Sequence, residues 1–241
     1  MDRMILMGVL AAGSVFAASA SADIVKVADS IQEFSSVQGQ DGWSYGWYAD
    51  DQVGLSGGSG SLDTSNFQEF EHYDGQIGWW THDAASAASG EEQTPFFLTV
   101  ITSQYMHANS PIAGEPSVAT EARWASRRWT SDIDGQVQVL GRLAKVDQGP
   151  LIGDGIDAYI TIDGEVAFHY AVAGDDLAGT TYDLTLDVNE GSVIEFVIGG
   201  NESGLNDAVV FTSEIMGDVV PAPGAVALIG MGGALMGRRR R

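Results

Sequence analysis

The sequence has no cysteine, so disulfide staples and thiolate metal sites are excluded and the domain must stand on its core alone. Basic residues are almost as scarce. Between Asp23 and Val219 there are only six: Lys26, Arg123, Arg127, Arg128, Arg142 and Lys145. All of the chain's 33 acidic residues except Asp2 fall in the same stretch, which gives it a formal charge of −26. Such a surface repels nucleic acid and anionic membrane, so neither is an expected partner. No amphipathic helical period separates the strand-like runs, which excludes a parallel α/β fold with crossover helices. No apolar run reaches the roughly 20 residues that a stable membrane-spanning helix requires.

What is present is a succession of short β-forming runs. Val137–Leu140, Ala158–Ile162, Val166–Tyr170, Tyr182–Leu186, Val193–Ile198 and Ala208–Ile215 are spaced by turn residues, and several alternate apolar with polar side chains. Asp163-Gly164 joins two of them with no spare residue and predicts a type I′ hairpin. Asn189-Glu190-Gly191 predicts another turn, and Asp134-Gly135 introduces a strand. In the first half, Ile31–Phe34, Trp43–Tyr48, Phe67–Phe70, Ile77–Thr81 and Phe96–Tyr105 are candidate strands, with Val53–Ser65 and Asp83–Gln93 as loops. The expected fold class is all-β, a single antiparallel β-sandwich over residues 23–217.

Both ends read as addresses rather than as fold. Residues 1–22 have Arg3, an apolar stretch to Phe16 and the small-residue pattern Ala20-Ser21-Ala22, as a signal peptide does. Signal peptidase is the expected first partner, cutting before Asp23. Residues 218–241 contain Pro221-Ala222-Pro223, an apolar segment and Arg238 to Arg241. The apolar part, Gly224 to Gly237, is short and has five glycines. This three-part order resembles the PEP-CTERM sorting signal, although Ala222 stands where that family usually has Glu. The resemblance implies processing by an exosortase-like membrane enzyme after a transient inner-membrane stage. The arginines would stay on the cytoplasmic side. The expected destination is the cell surface, outer envelope or extracellular matrix.

A second resemblance covers the body. Arg128-Trp129-Thr130-Ser131, Gly135-x-Val137-x-Val139-x-Gly141, Gly153-Asp154-Gly155-Ile156, Ile162-Asp163-Gly164, Asn189-Glu190-Gly191-Ser192 and Asn206-Asp207 carry it. Together they resemble jelly-roll, galactose-binding-like and carbohydrate-binding modules of secreted bacterial proteins. Such a resemblance implies a jelly-roll-like sandwich, and the fold itself hosts many activities.

The candidate site residues follow from side-chain chemistry. Trp43, Tyr45 and Trp47 share one strand face at period two, and a solvent-facing row of aromatic rings would stack on sugars; the alternative is that this face is core. Trp79 and Trp80 point opposite ways on a strand, so one is expected in the core and the other free to bind. Arg127 and Arg128 belong to a basic knot that could grip an acidic polysaccharide or pair with surrounding acids. Calcium is the expected cofactor if there is one, with Asp147, Asp154, Asp157 and Asp207 supplying oxygens. No catalytic residue is assigned.

The expected function is non-catalytic binding of polysaccharide by an exported protein. The alternatives are a purely structural envelope or biofilm protein, and a small glycan-active hydrolase or lyase drawing on Glu69, Glu71, Asp74 and His82 beside the Trp pair. Mass spectrometry of the exported protein should find residues 1–22 and Arg238 to Arg241 missing; persistence of the four arginines would show that the tail is not read as a sorting signal.

Overall fold

The computed structural model describes residues 23–81, 99–110, 121–149, 153–201, 204 and 206–219. The expected signal peptide with Ala20 and Ala22 lies outside them. So do Pro221, Pro223 and Arg238 of the sorting segment, His82, and the Asp83–Gln93 loop.

Among the described residues the first half of the chain forms β1 (Asp23–Asp29), β2 (Trp43–Ala49), β3 (Val53–Ser56), β4 (Ser59–Leu62), β5 (Gln68–Glu69), β6 (His72–Asp74), β7 (Gly78–Thr81), β8 (Thr99–Ile101) and β9 (Tyr105–His107). The second half forms β10 (Arg123–Thr130), β11 (Gly135–Lys145), β12 (Ile156–Ile162), β13 (Glu165–Val172), β14 (Thr180–Val188), β15 (Val193–Gly200) and β16 (Val209–Val219). One sheet, A, runs β14-β11-β16-β9-β8-β7-β6, with β1 also on β16. The other, B, runs β3-β4-β13-β12-β15-β10-β2-β5. Pairings such as β10 with β15 and β11 with β16 are antiparallel. From β10 to β16 the chain passes from one sheet to the other at every connection except the β12–β13 hairpin. This is an all-β, jelly-roll-like sandwich. No helix of the described residues is long and apolar enough to cross a membrane.

The main core lies between the sheets. Trp43, Tyr45, Trp129, Phe196, Ile198, Val139, Leu143 and Phe211 are among its buried members, alternating along their strands as a half-buried sheet requires. Sheet B has a second, smaller core on its opposite face, made by Tyr48, Trp124, Tyr159 and Val197 under Leu55 and Leu62 of the β3–β4 hairpin. That hairpin occupies the stretch expected as a loop. Its glycines explain the difference: Gly57 and Gly58, at φ 54° and 82°, build the turn and leave Leu55 and Leu62 as the stretch's buried anchors.

The six strands expected in the second half all form; five are longer than expected, and the last starts one residue later, at Val209, and runs on to Val219. Ile31–Phe34 is a turn rather than a strand, because the buried Asp29 carboxylate accepts the backbone N–H groups of Ile31 and Gln32. Of the expected Phe96–Tyr105 strand, 96–98 lie outside the described residues; the remainder forms β8, a tight turn and the start of β9.

Asp163 and Gly164 adopt φ 50° and 87°, the left-handed pair of a type I′ turn. The Gly164 carbonyl accepts the Leu62 N–H at 2.8 Å, which docks β4 on the hairpin. A Cβ at position 164 would run into the Leu62 carbonyl oxygen. Gly164→Ala should therefore destabilise the domain by at least about 1–2 kcal/mol and lower its melting midpoint by roughly 2–8 °C, read by circular dichroism.

Candidate functional site

The aromatic row on β2 is core. Trp43 and Tyr45 are completely buried, and Trp47 is half-buried under the Arg123 guanidinium at 4.2 Å. Trp43 Nε1 donates to Glu33 Oε2 at 2.9 Å, and the Tyr45 ring stacks on Trp79 with centroids 6.0 Å apart. The sugar platform expected on this face is thus corrected: period two puts all three rings on the side that meets sheet A.

The basic knot is strand β10, and its alternation separates the two arginines. Arg127 points into the main core and is fully buried. Its guanidinium donates to the Thr102 carbonyl at 2.6 Å and the Phe211 carbonyl at 3.2 Å, and burial pulls its pKa down to about 10. Arg128 points the other way. Its Nη2 meets Glu195 Oε1 at 3.1 Å, the Tyr48 hydroxyl at 2.8 Å and the Thr64 carbonyl at 3.0 Å, with the guanidinium 3.9 Å over the Phe67 ring. The buried Glu195 carboxylate also accepts from Tyr48 and from Ser126, both at 2.8 Å. Neither arginine is placed to grip an acidic polymer, a second correction.

The four aspartates expected around calcium do not converge. Asp157 bonds His169 Nε2 at 2.8 Å on the outer face of sheet B. Asp207 is fully buried against Lys145 Nζ at 2.8 Å, and the ammonium also reaches the Asn206 carbonyl. Asp154 is exposed and adjoins Asp207. Asp147 caps its own turn by accepting the Gly149 N–H at 2.9 Å. Among the described residues no three His, Asp or Glu side chains form a group that could hold a metal ion.

The outer face of sheet A provides a different site. Trp79 is buried and donates Nε1 to the Ser35 carbonyl at 2.8 Å, whereas Trp80 faces outward, half-buried, and stacks on His72 with centroids 4.6 Å apart. The pairing Trp80–Val100–His107 continues that row across β7, β8 and β9. Beside it opens a pocket of about 310 Å³, at the low end of the small-ligand range. Its polar walls are Tyr105, Gln76, Gln148 and His107; Ile77, Val100, Val146 and Ala208 supply apolar surface. The Tyr105 residue is 40% exposed. Gln148 Oε1 is buried and accepts no hydrogen bond.

Three of these polar residues are presented by turns that a side chain closes. Asp74 Oδ1 accepts the Gln76 and Ile77 N–H groups at 2.7 and 3.1 Å. Thr102 Oγ1 accepts from Gln104 and Tyr105 at 3.1 and 3.0 Å. Asp147 fixes the turn through Gln148. Such Asx and ST turns hold a loop without a regular ladder. Buried Arg127 holds the Thr102 carbonyl, so it also anchors the turn that carries Tyr105. The sequence marks out Trp80 but not Gln76, Gln148 or the β9 pair Tyr105 and His107, which stand far apart in the chain with no shared motif.

No protein-family model matches the sequence, and no curated protein matches it. Among solved structures, a CBM51 from Clostridium perfringens GH95 in complex with methyl-galactose is similar, with 16% identity and a TM-score of 0.29. The match covers 39% of this chain and 64% of that one, so the chain spans under two thirds of that structure's length. A family 35 carbohydrate binding module from Clostridium thermocellum shows 9% identity and a TM-score of 0.26, over 39% of this chain and 68% of that one. The C-terminal CBM6 of a marine laminarinase from Zobellia galactanivorans shows 14% identity and a TM-score of 0.27, over 47% and 90%.

Burial pushes the Asp207 carboxyl up from 3.8 to about 6, more strongly than the Lys145 contacts pull it down. The folded state then holds this proton more tightly than the unfolded chain. The group's contribution to stability is complete below about pH 4 and is lost as pH rises through about 6. Urea melts of the wild type and Asp207→Asn should show their stability difference shifting against the wild type between about pH 4 and 7; a difference flat across that window would contradict the assignment.

Proposed function

We propose that this chain is an exported, non-catalytic β-sandwich that binds polysaccharide through the Tyr105 pocket. The observation that carries the reading is Tyr105, 40% exposed, in a pocket that the amides of Gln76 and Gln148 also line. A sugar offers a C–H face to a phenol ring and hydroxyl donors to an amide oxygen, and amide groups can both give and take hydrogen bonds. The apolar walls and few convergent polar groups fit a small-ligand site. Glycoside hydrolysis uses two carboxyl groups flanking the bond, and no carboxylate is found among the described residues lining this pocket. Glu69, Glu71 and Asp74 are exposed on and beside β5 and β6, and Asp74 is engaged in closing its turn.

Export and sorting rest on the two terminal segments: signal peptidase would release the body at Asp23, and an exosortase-like enzyme would act on the Pro221-Ala222-Pro223 tail. The acidic body suits solubility outside the cell. Affinity electrophoresis against a panel of polysaccharides tests the binding reading. Tyr105→Ala should weaken retention about tenfold, or ~1.4 kcal/mol, with the melting temperature nearly unchanged because the ring is exposed. If the wild type is retarded by no polysaccharide, the binding proposal fails and a purely structural envelope role takes its place.

A further inference from the structure

The chain has few cations, and the fold takes most of them away from the surface. Arg127 is spent on two backbone carbonyls in the core, Arg128 on Glu195, and Lys145 on Asp207. Arg123 is buried over Trp47 and reaches Glu121 at 3.1 Å. Only two basic side chains of the body remain near solvent. Lys26 bridges Asp29 and Glu214, and Arg142 donates to the carbonyls of Leu177 and Ala178. Neither lines the Tyr105 pocket. The body stretches outside the described residues, such as 82–98 and 111–120, contain no Lys or Arg in their sequence.

Among the described residues, the pocket's polar groups are two amides, a phenol and an imidazole. Carboxylates adjoin its lining in sequence: Asp74 precedes Gln76 by two residues, Asp147 precedes Gln148 by one, and Asp207, paired with Lys145, precedes Ala208 by one. An anionic sugar entering here would lose water from its charge and find no cation to replace it. The acidic surface would also repel the polymer before it arrived, over a distance set by salt.

We propose that the Tyr105 pocket selects uncharged glycans and rejects carboxylated or sulfated ones. This rests on the polysaccharide-binding reading and narrows it to a substrate class. Selectivity by exclusion is a recognised route to specificity: the wrong ligand is refused by an unpaired charge rather than the right one gripped harder.

The test is affinity electrophoresis of the full chain carrying Arg238→Ser, Arg239→Ser, Arg240→Ser and Arg241→Ser, so that the tail adds no cation. Gels would contain a neutral mannan or β-glucan, a polygalacturonate, or a sulfated galactan. Running at about pH 8 keeps an ordinary histidine neutral. Retention by a neutral polymer at least tenfold stronger than by either anionic one is expected at low salt. The long-range part of the gap should narrow as salt rises from about 0.01 to 1 M and the screening length falls from ~30 to ~3 Å. Gln76→Arg, which places a cation on the exposed wall, should increase retention by polygalacturonate. Equal or stronger retention of the anionic polymers by the chain without that change overturns the charge inference while leaving polysaccharide binding intact. Retention by none of the polymers overturns both.

Discussion

The fully buried carboxylate of Glu195 constrains much of sheet B. A lone carboxylate in that position would cost several kcal/mol, and the fold compensates by bringing Tyr48, Ser126 and Arg128 to it from two neighbouring strands. Arg128 and Glu195 are register partners on β10 and β15, and Arg128 pairs with Ser44 on β2. Once Arg128 faces this cluster, strand alternation turns Arg127 and Trp129 into the main core. The same register places Trp43 opposite Trp129 and Tyr45 opposite Arg127. The side chains that resemble a glycan platform in the sequence are therefore committed to holding the sheets together.

That commitment moves the candidate site to the other sheet. The outer face of sheet A near β7, β8 and β9 keeps Trp80, Tyr105 and an open pocket, while Trp79 serves the core. The two regions are coupled through Arg127. Its guanidinium crosses the core to the Thr102 carbonyl, and Thr102 closes the turn that presents Tyr105. A buried arginine with carbonyl partners and no carboxylate is costly; here it ties β10 to β16 and to the turn after β8. The same withdrawal of cations leaves an acidic exterior around a pocket whose described lining has no Lys, Arg, Asp or Glu.

Acidic side chains do three different jobs in this protein. Glu33, Glu195 and Asp207 satisfy buried donors. Asp29, Asp74 and Asp147 close turns by accepting backbone N–H groups. Others remain at the surface and set its sign. Composition alone does not separate these roles, so Asp147, Asp154, Asp157 and Asp207 read as one cation site by their place in loops. Lys145 and His169 meet two of them across long sequence separations, 62 and 12 residues respectively.

The sequence by itself determined the strands of the second half, the type I′ turn at Asp163-Gly164 and the all-β class. These follow from alternation and local backbone preference, which act over a few residues. It also determined that one tryptophan of the Trp79-Trp80 pair faces outward, because neighbours on a strand must diverge. Tertiary structure decided the direction of every alternating face. Period two says that Trp43, Tyr45 and Trp47 lie together, but only the packing of sheet A against sheet B says that they lie inside. It decided the pocket as well: Gln76, Tyr105 and Gln148 stand on separate turns, and no local rule relates positions that meet only when strands distant in sequence pair within sheet A.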